Sequence, residues 1–402
     1  MSVATVAKPL DVFIVVGEHS GDQLGFKLMQ ALRRDTGGNV AFRGVGGELM
    51  AEQGLVSLFP LADIAVMGFS AVFARLPTIL RRLRQTVEAI TASPPDILVI
   101  IDSPDFTHRV AQRARRALPS LPVVDYVSPT VWAWRPGRAR KMRRYVDHLL
   151  ALLPFEPQAH ARLGGPACTY VGHPLIERLA ELRPNAEEER RRQTAPPIVL
   201  VLPGSRRLEI RRLMPDLGVA VERIAAQLGD VEFVLPAVSH VRGEIDAALA
   251  SWKVKPRVVA GEAEKWAAFR VARAALAASG TVTLELALAG VPMAVVYRMS
   301  KLEEQVKYFV HVPSIVLPNL ILGENVIPEF LQHHCEPARL AAAMLPLIRG
   351  GPERDRQVAA LQRLDALMRL PQGEAPSDLA ARIVLAAAEQ GRRGRLRHHA
   401  AC

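Results

Sequence analysis

The stretch DVFIVVGEHSGDQLG, residues 11–25, passes from an unbroken apolar run into a loop of glycine, serine and ionisable side chains, and then into a helix-like segment. An apolar run without alternation is buried on both faces, the condition of a strand inside a parallel sheet. Glycines at the following turn let backbone N–H groups approach an anion at a helix N-terminus. The glycine spacing is nevertheless not that of the dinucleotide fingerprint, and RGVGGELM (43–50) fails the same test because Leu49 stands where the third glycine belongs.

Comparable runs recur along the chain: DILVII (96–101), LPVVDYV (121–127), PIVLVLP (197–203), VEFVLP (231–236), RVVAG (257–261) and VPMAVVY (291–297). Each is followed by a glycine or proline loop and a helix-like segment, which implies parallel sheets with right-handed crossovers. A chain of 402 residues exceeds one ordinary core. At 183–197, RPNAEEERRRQTAPP, charge and proline replace apolar periodicity, with strands on both sides. The expected architecture is therefore α/β, two doubly wound domains facing one cleft. Their bounds are 1–182 and 198–345, with a linker at 183–197, C-terminal helices over 346–390 and a basic, frayed tail at 391–402. Ligands of open parallel sheets bind at the carboxyl ends of the strands, which puts the site in that cleft.

The net charge of +11 calls for an anionic partner, be it nucleic acid, a membrane surface or a phosphorylated substrate, or else reflects a generally basic proteome. Three cysteines without C-x-x-C spacing suggest neither a disulfide framework nor a zinc site, and a reducing cytoplasm fits. The apolar run at 12–16 is too short for a signal-peptide core, and Glu285, glycines and Pro292 interrupt 274–297 before a membrane span accumulates.

IDSPDF (101–106) puts Asp102 and Asp105 at the carboxyl end of a strand, where a carboxylate can act as general base. The competing role is helix capping, and Asp102 is favoured as the base with Asp105 structural or substrate-positioning. PGSRRLEIRRLMP (203–215) opens a helix with Gly204 and Ser205 beside Arg206, a setting for a diphosphate without the Walker pattern; an exposed Arg/Glu face explains the rest. SGTVTLELALAGVP (279–292) exposes the N–H groups of Ser279, Gly280 and Thr281, with Glu285 alone among apolar residues and suited to ribose hydroxyls, or else paired with a buried arginine. SIVLPNLILGENVIPEF (314–330) reads as an irregular apolar loop carrying Asn319. AVMGFSAVFARLPTILRRLRQ (65–85) mixes apolar residues with arginines, as an amphipathic crossover helix or an interfacial segment does. VSPTVWAWRPGRARKMRRY (127–145) sets Trp132 and Trp134 on a loop that shapes a cleft wall; no nucleic-acid-binding pattern surrounds it.

Taken in order, GEHSGD (17–22), GVGGELM (44–50), IDSPDF, SPTVWAWRPGR (128–138), VGHPL (171–175), LPGSRRLEI (202–210), ASGTVTLELAL (278–288) and LPNLILGENVIPEFLQ (317–332) closely resemble the lipid-A-disaccharide synthase family of bacterial glycosyltransferases. The resemblance implies two facing Rossmann-like domains of the GT-B type. It implies inverting transfer of 2,3-diacylglucosamine from a UDP donor onto 2,3-diacylglucosamine 1-phosphate, without metal or other cofactor and without nucleic acid. It places the family's essential aspartate on Asp102, its arginine on Arg206 and its loop asparagine on Asn319, with Ser279, Gly280, Thr281 and Glu285 matching a UDP-binding pattern. The acceptor then falls to the first domain, near Ser20, Gly21 and Asp105, with Asp22 binding the sugar or shaping its floor, or else capping a helix. Because both substrates are acylated, the resemblance also favours a cytoplasmic enzyme peripheral on the inner face of the membrane, in contact through Met67, Phe69, Val72, Phe73 and Leu76. It leaves a homodimer open. The alternatives are another UDP-sugar enzyme of the same fold, such as a UDP-N-acetylglucosamine transferase or 2-epimerase, and, more distantly, a basic nucleic-acid-binding protein.

Overall fold

A computed structural model describes residues 8–65, 69–299, 312–370 and 373–400, without the side chains of 69–74 and 394–400. The chain divides into two compact units, 1–174 with 370–402, and 175–369.

In the first unit the opening stretch forms β1 (Leu10–Val16), and Val12–Val16 are almost wholly buried. It is joined by β2 (Val40–Val45), β3 (Ile97–Ile101), β4 (Val123–Tyr126), β5 (His148–Ala151) and β6 (Ala167–Tyr170) in the spatial order β2-β1-β3-β4-β5-β6. All neighbours pair in parallel. Parallel pairing requires crossovers, and helices such as His19–Asp35, Phe69–Ala92 and Thr107–Ala117 supply them. The last helix, Pro376–Ala400, returns to this unit and buries Ala380, Ala381, Val384 and Ala388 in its core. Its basic end, expected to fray, is helical to Ala400; Arg392 pairs with Asp96 and donates to the Pro9 carbonyl at 3.2 Å.

The second unit holds β7 (Ile198–Leu202), β8 (Glu232–Ala237), β9 (Arg257–Ala260), β10 (Ala274–Ala278), β11 (Met293–Tyr297) and β12 (Glu329–Leu331), ordered β12-β11-β10-β7-β8-β9 and parallel throughout. Residues 183–197 lie inside this unit. Their charge is that of a helix, Ala186–Gln193, whose N-cap Asn185 accepts from the N–H groups of Glu187 and Glu188, both at 2.9 Å. Arg192 is buried from it and donates to the carbonyls of Phe269 and Ala289 at 3.2 and 3.0 Å.

The segment 314–330 differs from the expected loop. Pro318 sits in the first turn of a helix, Leu317–Leu322, which Gly323 ends at φ 70°, and Glu329–Leu331 becomes the edge strand. Proline and glycine here are start and stop signals of a short helix rather than marks of irregularity.

Candidate active site

The carboxyl end of β3 turns sharply. Asp102 and Ser103 both take left-handed backbone conformations, φ 56° and 48°, which cost about 1–2 kcal/mol per L-residue. The turn is held from several sides. Asp102 N donates to the Tyr126 carbonyl at 3.0 Å, Thr107 Oγ1 to the Asp102 carbonyl at 2.7 Å, and Ser103 N to Asp102 Oδ1 at 2.7 Å. Ser20 Oγ donates to Asp102 Oδ2 at 3.0 Å, so the first turn of the helix His19–Asp35 reaches the carboxylate directly. A Cβ on Gly17 would lie 2.1 Å from that of Ser103, which makes glycine the residue that lets the two loops meet. Strain held in place by surrounding bonds is a mark of a working site.

Gly21 is buried where the helix His19–Asp35 abuts β3; a Cβ there would stand 3.3 Å from the Ile101 carbonyl. Asp22, next to it, is fully engaged elsewhere. It accepts from the N–H groups of Gly47, Leu49 and Met50 at 2.7, 3.1 and 3.3 Å and so caps the helix Glu48–Glu52. A Cβ at Gly47 would come within 2.5 Å of that carboxylate, so GVGGELM is shaped to receive Asp22 rather than a nucleotide. Asp105 lies at the surface and pairs with Arg138 at 3.1 Å.

Beneath the tryptophan loop lies a buried polar cluster that the sequence did not announce. Glu156 receives the Trp132 Nε1–H at 3.2 Å and the Leu153 N–H at 3.0 Å. Burial pushes its carboxyl up to about 7. His160, with its Nε2 2.8 Å from Ser128 Oγ, is pushed down to about 4 by burial. Trp132 packs edge-on against Phe155, centroids 5.1 Å apart, so this tryptophan is pinned from two sides.

The second unit carries a pocket of about 900 Å³ at the carboxyl ends of β7, β8 and β10. It brings together Arg206, Ser279, Gly280, Thr281 and Glu285. Arg206 is the N-cap residue of the long helix Arg207–Leu228, whose first N–H groups have no side-chain cap and are free to meet an anion. Its guanidinium is exposed and pairs with Glu209 at 3.0 Å. Ser279 Oγ donates to the Ile315 carbonyl at 2.9 Å, and a Cβ built on Gly280 would meet nothing within 4 Å, leaving the backbone open to approach. Glu285 is paired with a lysine, Lys265, at 2.7 Å, where the alternative had been a buried arginine. Lys265, Ser239 and His240 line the same pocket. His240 follows the end of β8, so the carboxyl-end argument reaches it; Lys265 comes from another helix, and only folding shows its role.

Asn319 is not among the pocket-lining residues. It is buried, donating to the Ile327 carbonyl at 2.9 Å and Glu329 Oε1 at 3.0 Å, and accepting from the N–H groups of Val326 and Ile327 at 3.1 and 3.0 Å. It therefore braces the segment whose Ile315 and Leu317 form one wall of the pocket.

Of the residues expected to touch a membrane, Met67 lies outside the described residues, and so do the side chains of Phe69, Val72 and Phe73. Leu76 is 39% exposed and Leu80, one turn on, 43%, while Leu83 and Ile90 of the same helix are buried. Among the described residues no helix is long and apolar enough to cross a membrane.

Solved structures share the fold, two of them as follows. A UDP-GlcNAc 2-epimerase from Neisseria meningitidis aligns over 95% of this chain and 100% of its own, with TM-score 0.58 at 12% identity. A calicheamicin glycosyltransferase aligns over 94% and 98%, with TM-score 0.52 at 18% identity. A lipid-A-disaccharide synthase of Rhodopseudomonas palustris (strain HaA2) is 55% identical over 95% of this chain and 97% of its own, and one of Nitrobacter winogradskyi is 55% identical over 95% and 96%. The family model described as lipid-A-disaccharide synthetase matches residues 12–383, and on this evidence of sequence and fold the chain belongs to the lipid-A-disaccharide synthase family of GT-B hexosyltransferases.

Proposed function

We propose that the chain joins UDP-2,3-diacylglucosamine and 2,3-diacylglucosamine 1-phosphate into a β-1,6-linked disaccharide 1-phosphate and releases UDP. The observation that carries this reading is the strained Asp102 turn, held by Ser20 at the end of β3, in a chain whose family performs this transfer. Asp102 accepts the proton of the acceptor 6-hydroxyl as its oxygen bonds to the anomeric carbon of the donor. The bond from that carbon to the diphosphate breaks on the opposite face, so configuration inverts. Arg206 and the uncapped start of the helix Arg207–Leu228 hold the departing diphosphate, with the backbone at Ser279, Gly280 and Thr281 beside it. Glu285 takes the ribose hydroxyls, and Asn319 acts indirectly, as the brace of the pocket wall. Ser20, Gly21 and Asp105 serve the acceptor sugar.

The enzyme meets its acylated substrates as a peripheral protein on the inner face of the cytoplasmic membrane, through Met67, Phe69, Val72, Phe73 and Leu76. The exposure of Leu76 and Leu80 beside arginines supports this. The test is one incubation of purified protein with both acylated substrates. Disaccharide 1-phosphate and UDP are expected in equal amounts, and the donor alone is expected to yield neither. Absence of disaccharide, or epimerisation of UDP-N-acetylglucosamine without an acceptor, overturns the reading.

A further inference from the structure

A second hollow, of about 430 Å³, opens in the first unit next to the Asp102 turn. Pro104 and Asp105 form one edge, Arg109 another, and Arg135, Arg138 and Lys141 close it from the segment after the tryptophans. Four cationic side chains thus converge against one carboxylate. Arg138 is tied to Asp105 at 3.1 Å, whereas the side chains of Arg109 and Lys141 have no hydrogen-bond or ion-pair partner among the described residues. Arg135 adopts φ 54°, unusual for a residue with a side chain, with its guanidinium 5.2 Å from the Trp134 ring centre. The back wall is rigid. His108 sits between Asp125 at 3.1 Å and the Tyr145 hydroxyl at 3.0 Å, and all three are buried. Cations gathered without partners repel one another, and an anion between them relieves that repulsion.

We infer that this hollow binds the phosphomonoester of the acceptor sugar and thereby presents its 6-hydroxyl to Asp102. This rests on the transfer reading above. The donor's diphosphate belongs to the pocket of the second unit, so the acceptor's anion needs its own site on the unit that carries the base. Residues 104 and 105 edge the hollow directly after the base-bearing turn, so a sugar anchored there stays beside it. An arginine fork and a lysine point charge are the usual partners of a phosphate dianion, and Asp105 acts here by fixing the Arg138 fork. An adjoining basic hollow shares Gln112, Lys141 and Tyr145. A lipid headgroup would offer the same phosphate chemistry, so the experiment separates the two sources.

The experiment compares full-length wild type with Arg109→Ala, Lys141→Ala and the double variant on two acceptors, the 1-phosphate and its dephosphorylated analogue, alongside flotation on phosphatidylglycerol vesicles. KM for the phosphorylated acceptor is expected to rise about tenfold for each cation removed, the loss of one charge-assisted hydrogen bond. KM for the donor should stay constant, preference for the phosphorylated acceptor should vanish in the double variant, and Lys141→Arg should restore most of it. An unchanged preference overturns the inference, including the case where only flotation falls, which assigns the cations to lipid headgroups. Wild type that transfers to neither acceptor overturns the transfer reading itself, and the phosphate site with it.

Discussion

Asp102 shows how surroundings can hold a single residue ready for the base role proposed for it. Its backbone is held in a region that L-residues avoid, and its two carboxylate oxygens receive Ser103 N–H and Ser20 Oγ–H. Asp102→Asn keeps the volume and the acceptor oxygen but cannot take a proton. It is expected to lower kcat by about 10²–10⁴ while UDP affinity, read by calorimetry, stays at the wild-type value; near wild-type turnover would remove Asp102 from the base role. Glu156 makes a different residue-scale argument, through pH. Its carboxyl is pushed up to about 7 from 4.5, so between those values the folded protein holds a proton that the unfolded chain has released. Stability therefore falls as pH rises through that window, by up to about 3 kcal/mol. His160 and His173, both pushed down to about 4 from 6.5 by burial, act in the opposite sense: the unfolded chain binds the extra protons, and stability rises from pH 4 to 6.5. Glu156→Gln removes only the falling component. Denaturant melts from pH 4.5 to 7 are expected to show the variant gaining on wild type throughout, and a pH-independent difference would mean that Glu156 is ionised in the folded state.

At the scale of elements, the helix Phe69–Ala92 divides its faces between core and exterior. Leu83 and Ile90 are buried, Arg82 is tied to Asp63 at 2.7 Å, and Arg75 donates to the Ala62 carbonyl at 2.8 Å, whereas Leu76 and Leu80 stay open. Leu76→Glu with Leu80→Glu changes two exposed positions and leaves the buried Leu83 and Ile90 of the same helix in place, so folding should survive. Cosedimentation with anionic vesicles is expected to fall several-fold, since each substitution removes apolar area and adds a charge of the membrane's own sign; undiminished binding would move the contact to another surface. The elements also show what a sequence discloses. β1, β3, β7 and β8 are legible because branched apolar runs end in glycine or proline turns, and Asp102 and Arg206 are legible because they stand at those ends. β10, AALAA, is not: alanine favours helices, and only complete burial between β7 and β11 makes it a strand. β5 and β6, four residues each, are too short to show a period. The pairings Asp22 with Gly47 and Glu285 with Lys265 were equally hidden, because they join residues that sequence spacing does not connect.

At the scale of the whole molecule, the chain does not simply run from one unit into the next. It leaves the first unit at Pro174, completes the second by Arg369, and returns its last helix to the first. That helix lies against His19–Asp35, β3 and β4 and contributes Ala380, Ala381, Val384 and Ala388 to the core, with Leu379, Ile383 and Leu385 packed around them. Arg34–Asp378 at 2.7 Å and Arg392–Asp96 add polar ties. Fully burying a large aliphatic side chain such as Val384 contributes about 1.5–3 kcal/mol, and losing it with the buried alanines, the partly buried Leu379, Ile383 and Leu385 and the core surface they cover removes a large share of the 5–15 kcal/mol by which a domain is stable at all. The second unit depends on none of these contacts. Deleting 370–402 is therefore expected to abolish the cooperative unfolding of the first unit and all transfer activity while UDP still binds, because the pocket between Gly204 and Leu317 lies entirely within 175–369. Calorimetric melts of the truncated chain with and without UDP provide the measurement. A truncated protein that keeps the full enthalpy of unfolding would show that the first sheet closes its own core and that the returning helix only decorates it.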